Sequence, residues 1–263
     1  MDNDRRRALF DYALQNEASL TGTAAAYHQL VRIAAGKTLQ EDVILAACDL
    51  TDARNDCADF ALHCLIRLLV RFPDALSAEL AARLQTTVLE FKYWPDEPGV
   101  DSLCTWTENH QILYAAGAYL VGQLFPDTIF ANAGHSGRAK MELARPRILR
   151  WLNLRFRTGF SEWLSNVYYD EDLVALLSLV DFCQDEELQQ RATMVVDLML
   201  LDIALNSFQG LLGSTHGRSY ERHKKWAARE SVAATTRLLF GAGEFATSLN
   251  LSAPCFALST RYR

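Results

Sequence analysis

Residues 106–125, WTENHQILYAAGAYLVGQLF, carry the pattern that decides the fold. After a polar start, apolar residues recur at the three- and four-residue spacing of one face of an α-helix. That face consists of Leu113, Gly117, Leu120, Val121 and Leu124. The pattern predicts a helix whose apolar face points into the core.

The first turn of this helix carries a carboxylate, an amide and an imidazole, at Glu108, Asn109 and His110. Polar groups at the mouth of a buried helix cost desolvation free energy unless they have partners or a task. The positive potential of a helix start also favours a neutral histidine, the form that can act as a general base. We therefore predict a functional site here. The alternative is a cap, with Thr107 as N-cap and Glu108 favouring the helix dipole.

Helical periodicity continues along almost the whole chain and predicts an all-α fold. The connections are mostly short, and four of the prolines fall in them, which favours successive antiparallel helical hairpins within one domain, residues 1–263. Only Cys255 to Tyr262 is compatible with a strand. The candidate helices are 4–17, 22–35, 39–49, 54–72, 75–92, 107–124, 138–157, 170–182, 185–208 and 227–249.

Composition excludes several classes of function. The 263 residues are 50% hydrophobic and 22% charged, with a formal net charge of -6, which argues against a nucleic-acid partner. No apolar run approaches the ~20 residues of a membrane span, so we expect no membrane partner. The basic run at residues 5–7 lacks the apolar region of a secretory signal. The chain as given is expected to be cytoplasmic, or secreted or periplasmic if a leader was removed.

The cysteines and histidines show no metal-binding spacing. None of the six cysteines forms a CxxC pair, and the six histidines form neither HxxxH nor HExxH. We therefore expect reduced thiols, no metal site and no other cofactor.

Three longer connections are rich in glycine, aromatic and polar residues, and we expect them to gather at one rim of the fold. They cover residues 93–106, 159–169 and 210–225. In the third, His216, Arg218 and Tyr220 share one face if the backbone is extended. An arginine fork beside an imidazole and a phenol suits acid–base chemistry on an anion. The alternative is a polar surface loop with one salt bridge.

The second connection carries residues suited to sugars. Trp163, Tyr168 and Tyr169 can stack on sugar rings, while Glu162 and Asn166 can bind hydroxyl groups. The alternative is that the aromatic rings belong to the core and that Ser165 or Asn166 caps the next helix. The set predicted to bind substrate is completed by Trp106, Glu108 and His216.

A further polar block, Arg54, Asn55, Asp56 and Asp59, begins another predicted helix. It fits either buried partners for the rim or a solvated, capped helix start, and the second is more typical of such a block.

An all-α chain of helical hairpins, with an Asn-His pair at a helix mouth and a later Arg/Tyr loop, resembles the (α/α)-toroid polysaccharide lyases. Alginate-, hyaluronate- and heparinase-type lyases are the nearest in kind. The resemblance covers roughly residues 50–225 as architecture, and its motif is Asn109-His110 with Arg218 and Tyr220. It implies a complete or partial (α/α) toroid.

The resemblance also implies roles for these residues. Asn109 would neutralise a uronate carboxylate, and His110 would be the base or its partner. Tyr220 would act as base and acid, supported by Arg218. The chain departs from the family because Glu108 precedes the Asn-His pair, where alginate lyases tend to show a second asparagine. The Arg-to-Tyr spacing is also short, which leaves Tyr168 or Tyr169 as the alternative catalytic tyrosine.

The expected activity is therefore metal-independent β-elimination on a uronate-containing saccharide. One alternative is an inverting glycoside hydrolase, with Glu108 and either Glu162 or Asp170 as its two carboxylates. The other is a saccharide-binding protein without catalysis. The expected partner is a carbohydrate in each case, and the pattern leaves the oligomeric state open.

Overall fold

The computed structural model of the chain describes residues 3–17, 21–245 and 248–262. Within these ranges the fold is all-α, which confirms the predicted class. Its helices are α1 (Asn3–Gln15), α2 (Gly22–Ala34), α3 (Glu41–Asp52), α4 (Ala58–Arg71), α5 (Ala78–Glu90), α6 (Glu108–Leu124), α7 (Gly137–Thr158), α8 (Tyr168–Phe182), α9 (Glu186–Asn206), α10 (Glu221–Lys225), α11 (Ala233–Phe240) and α12 (Ser252–Leu258).

Extended structure in the described ranges is confined to two short antiparallel pairs. Strand β1 (Ile129–Phe130) pairs with β2 (His135–Ser136), and Ile129 lies opposite Ser136. Strand β3 (Ser207–Phe208) pairs with β4 (Leu211–Leu212). Two 3-10 turns, Pro73–Ala75 and Ala227–Arg229, complete the elements.

Helix α6 lies in the middle of the core and is buried on nearly every side, rather than on one face. Leu113, Leu120 and Val121 are fully buried as predicted, but Leu124, at the helix end, is 36% exposed, so its assignment to the core was wrong. Gly122 lets α7 approach closely, because a Cβ there would lie 2.6 Å from the carbonyl oxygen of Gly137.

Five helices follow one another through mutual contacts. Helix α2 packs on α4, α4 on α6, α6 on α8, α8 on α12, and α12 packs back on α2. The intervening helices pack on these: α3 contacts α2 and α4, α7 contacts α6, and α9 contacts α8. Helices α1 and α11 pack on each other. In addition, α1 packs on α2, and α11 packs on α12.

The last part of the chain differs from prediction. The single helix predicted at 227–249 is instead a 3-10 turn followed by α11, while residues 246–247 lie outside the described residues. Helix α11 ends because Gly241 and Gly243 adopt positive φ angles of 75° and 80°. The strand predicted at Cys255 to Tyr262 is also wrong, because the first half of that stretch belongs to α12, which is buried on every side, and the rest is irregular.

Across the part of the chain that the structure describes, no helix combines the length and the apolar character that crossing a membrane requires.

Candidate active site

A cavity of about 520 Å³ opens where the first turns of α2, α4, α6, α8 and α12 come together, beside the loop that follows β4. Backbone N–H groups at helix starts are not bonded within the helix, and they give each start a positive potential. Several such starts around one cavity favour an anionic ligand. The side chains that line it include Asp56, Cys57, Phe60, Cys104, Trp106, His110, Tyr168, Asp170, Glu171, Arg218 and Tyr220.

His110 reaches this cavity from α6 and is held by a buried carboxylate. Its Nδ1 lies 2.6 Å from Oδ2 of Asp59, which is fully buried in the first turn of α4. The Phe60 ring stacks on the imidazole, with centroids 5.2 Å apart and planes only 4° from parallel. Asp59 thus orients the ring so that Nε2 points toward the cavity. Burial raises the pKa of Asp59, and its hydrogen bond with His110 opposes that rise.

Two tyrosines that contact each other also line the cavity. The hydroxyl oxygens of Tyr168 and Tyr220 lie 2.6 Å apart, although the residues are separated by 52 positions in sequence. Tyr168 is 7% exposed and Tyr220 is 43% exposed. Burial, together with the hydrogen bond with Tyr220, raises the pKa of Tyr168, so Tyr168 holds its proton more firmly than a free tyrosine.

Arg218 fixes this pair in place. Its guanidinium carbon lies 4.1 Å from the centroid of the Tyr168 ring, in a cation–π contact. Its Nη1 donates to Oε1 of Glu162 at 2.9 Å. Arg218 is nevertheless 45% exposed along its side chain, so part of the guanidinium remains open to the cavity.

Two carboxylates of α8 also line the cavity. Asp170 accepts hydrogen bonds from the backbone N–H groups of Leu251 and Ser252, at 2.9 and 3.0 Å, and thereby caps α12. Burial raises the pKa of Asp170 to about 6, against the effect of these hydrogen bonds. Burial and the charge of Asp170 raise the pKa of Glu171 well above its usual value.

Glu108 lies outside the cavity lining, in a cluster of its own. Its carboxylate forms an ion pair with Arg155 and accepts from the backbone N–H groups of Ser161 and Glu162, at 2.8 and 2.7 Å. The Ser161 hydroxyl donates to it as well, at 2.6 Å. This carboxylate anchors the connection between α7 and α8. The role of Glu108 is therefore structural.

The remaining predicted residues are also placed away from the cavity lining. Asn109 is fully buried, and neither polar atom of its side chain has a hydrogen-bond partner among the described residues. Tyr169 donates to Asp202 in the core, and Asn166 donates to Glu230. Nδ1 of His216 bonds the carbonyl oxygen of Leu164. The other two contact the loop after β4: Glu162 pairs with Arg218, and Trp163 packs against Gly217.

The predicted residues that do meet in one cavity are therefore Trp106, His110, Tyr168, Arg218 and Tyr220, together with Asp170 from the hydrolase alternative. Sequence reasoning missed Cys57 and Glu171 as cavity residues, and it favoured a solvated helix start for Asp56 and Asp59. The polar block before α4 was the feature of the sequence that could have indicated these residues. Its position beside His110 could not be predicted, because it depends on a contact between residues 51 positions apart.

No model of a known protein family matches the chain, and neither a curated protein nor a solved structure is detectably similar to it.

Proposed function

We propose that the chain is a polysaccharide or oligosaccharide lyase that acts by β-elimination on a uronate-containing glycan in this cavity. The observation that carries the proposal is the Tyr168–Tyr220 pair, with hydroxyl groups 2.6 Å apart beside Arg218 and facing the cavity that His110 also lines. A proton acceptor, a proton donor and a cation are the groups that this elimination needs.

The packing of the helices supports an (α/α) toroid as the scaffold. Helices α2, α4, α6, α8 and α12 contact one another in a cyclic order, and they would form the inner ring. The first turns of α2, α4, α6 and α8, and the residues directly before α12, contribute to the cavity lining. A toroid whose inner helices start at one mouth places their positive ends around a carboxylate of the substrate.

The elimination divides between the two tyrosines. Arg218 pairs with the uronate carboxylate and stabilises the charge that develops when the C5 proton leaves. Tyr220, the more exposed of the two, reacts as the phenolate after giving its own proton to solvent. It takes the C5 proton, the C4–O bond breaks, and a double bond forms between C4 and C5. Tyr168, whose pKa is raised by burial, gives its proton to the leaving oxygen. A proton then passes from Tyr220 to Tyr168 across their hydrogen bond and restores the pair.

This division changes two of the roles that the resemblance implied. Asn109 is too deeply buried to contact a ligand in the cavity, so Arg218 takes over the neutralising role. His110, which lines the same cavity as the tyrosine pair, becomes a hydrogen-bond partner for the substrate and is held in place by Asp59.

A substitution series tests the proposal. We expect Tyr220→Phe to lower the rate of formation of the unsaturated product, followed by its near-ultraviolet absorption, by ~10²–10⁴-fold. Tyr168→Phe should have an effect of the same order. The matched control is Tyr169→Phe, which removes a buried hydroxyl outside the cavity lining and should leave the rate largely unchanged. Full activity of Tyr220→Phe would exclude the proposed role.

One observation favours a hydrolase as the second candidate. Glu171 lines the cavity, and its raised pKa suits a general acid, with Asp56 as the second carboxylate of the same lining. The carboxylates proposed from sequence are engaged elsewhere, Glu108 by Arg155 and Asp170 by α12. A product with a new reducing end and no unsaturated bond, abolished by Glu171→Gln, would select the hydrolase.

A further inference from the structure

Three potential metal ligands meet at the edge of the cavity where α4 and α6 begin. An oxygen of Asp56, Sγ of Cys57 and a ring nitrogen of His110 all lie within 4.8 Å of one another. Asp56 and Cys57 precede α4 directly, while His110 comes from the first turn of α6. The cluster therefore joins two helix starts that already pack together.

The imidazole in this cluster is held as a metal-bound histidine usually is. Asp59 occupies Nδ1, which leaves the Nε2 lone pair free for a ligand. In the described part of the chain Nε2 has no hydrogen-bond partner, and its nearest carboxylate oxygen, in Asp56, is 3.7 Å away. The His110 side chain is only 5% exposed. Nε2 of the buried His110 side chain therefore has no hydrogen-bond partner and lies close to the Cys57 thiol and the Asp56 carboxylate.

We infer that Asp56, Cys57 and His110 form a site for a divalent transition-metal ion, with Asp59 as the group that orients the histidine. Metal binding as such does not depend on the proposed lyase activity.

The donor set indicates Zn²⁺. One thiolate, one imidazole and one carboxylate suit zinc, whereas Mg²⁺ and Ca²⁺ prefer oxygen ligands alone. Three protein ligands with a fourth position open to a cavity are typical of zinc sites that contact a water or a substrate. Zinc–ligand bonds of ~2.0–2.3 Å require the three donors to close in slightly. The Asp56 side chain is 66% exposed and is free to rotate toward the ion.

The charges around the cluster favour a cation. The negative charges of Asp56, Asp59 and Glu171 act on the half-buried Cys57 thiol. A bound Zn²⁺ would oppose all of these charges. Its binding would release the thiol proton of Cys57 to solvent, with no change of oxidation state.

A bound ion would also affect the proposed reaction, and this consequence does rest on the proposed function. The cluster lines the same cavity as Arg218 and Tyr220. A divalent ion there would occupy Nε2 of His110, replace the histidine as the direct partner of the substrate, and provide a second positive charge for a uronate carboxylate.

Titration of the metal-free protein with Co²⁺, a spectroscopic substitute for Zn²⁺, tests the inference. We expect saturation at one ion per chain, with a thiolate-to-cobalt charge-transfer band that added Zn²⁺ abolishes. Cys57→Ser should eliminate the band. The matched control is Cys104→Ser, which removes the other half-buried thiol of the same cavity and should leave the band intact.

Two further variants keep the test decisive if Cys57→Ser fails to fold. Asp56→Asn alters an exposed side chain, and Asp59→Asn alters only the orienting group. Each should weaken Co²⁺ binding, the second by ~10–100-fold. Absence of Co²⁺ binding, a band that persists in Cys57→Ser, or a band lost in Cys104→Ser would overturn the inference. A protein that binds Co²⁺ as expected but lacks lyase activity would refute the proposed function alone.

Discussion

Glu108 and His110 lie two positions apart in the first turn of α6, yet they belong to different regions of the molecule. Glu108 turns toward the connection between α7 and α8, where its carboxylate meets Arg155 and two backbone N–H groups. His110 turns toward α4 and the cavity, with one nitrogen bonded to Asp59 and the other facing open space.

The comparison shows how a polar helix start divides between structure and function. In the first region, which we call the Glu108 cluster, the hydrogen bonds that the carboxylate accepts hold a loop in place. In the cavity, polar side chains such as His110 are held by a partner on one side only. Their free donor or acceptor atoms face the space where a ligand fits. Substitutions in the Glu108 cluster should therefore lower stability, whereas those in the cavity lining should lower activity.

The largest effect on stability is expected from Glu108→Ala. It leaves Arg155 without its carboxylate and two backbone N–H groups without an acceptor. Breaking a buried ion pair on one side should lower the free energy of unfolding by ~3–5 kcal/mol. Urea unfolding measures this change. The control is Glu186→Ala, at the same first helical position of α9 but exposed, for which a change within ~1 kcal/mol is expected. Equal losses in the two variants would contradict the comparison.

Glu230 sharpens the comparison, because it anchors a loop as Glu108 does but without an ion-pair partner in the described part of the chain. It accepts from the Leu212 N–H at 2.7 Å and from Asn166 at 3.3 Å, and burial raises its pKa to about 7. The folded state therefore binds a proton more tightly than the unfolded state. The contribution of protonated Glu230 to the free energy of unfolding is fully present below the pKa that Glu230 has in the unfolded chain. It is lost as pH rises from that value to about 7.

We expect the free energy of unfolding to fall by up to about 3 kcal/mol over this pH range through Glu230, since each pKa unit corresponds to ~1.4 kcal/mol. Glu230→Gln should remove that part of the dependence. Urea unfolding at several pH values, compared between the two proteins, isolates it from other titrating groups. Identical slopes against pH in both would show that Glu230 does not titrate as described.

The smallest effect is expected from Trp106→Ala. The indole lines the cavity but is 76% exposed, so its removal should change the free energy of unfolding by no more than ~0.5 kcal/mol. Loss of stacking on a sugar ring, worth ~1 kcal/mol, should raise KM about fivefold. Trp163→Ala is the control, because that indole is 51% exposed and lies outside the cavity lining. A larger rise of KM in Trp163→Ala would reverse the assignment.

The helices could be predicted from sequence to within a few residues wherever an amphipathic pattern is present. Helix α12 could not, because it is short and buried on all sides, and a short apolar run does not distinguish a buried helix from a strand. The stretch before it was predicted as one helix because the positive φ angles of Gly241 and Gly243 are not visible as a break in periodicity.

The candidate site was predictable only in part, for a related reason. His110, Arg218 and Tyr220 could be selected because their side chains suit acid–base chemistry. Neither the Asp59–His110 contact nor the Tyr168–Tyr220 contact follows from spacing, since each joins residues more than 50 positions apart. Glu108 and Asn109 looked equally functional in sequence, but the direction of each side chain depends on tertiary packing.

The most direct measurement of the central claim is a crystal structure of the Tyr220→Phe variant with a uronate oligosaccharide bound. We predict a sugar carboxylate within hydrogen-bond distance of Arg218 and the C5 hydrogen directed at the ring of residue 220. Another cavity, of about 470 Å³, is lined by Trp94, Arg147 and Trp151 and is also suited to an anion. An oligosaccharide bound there, with the cavity of His110 and Tyr168 empty, would contradict the account.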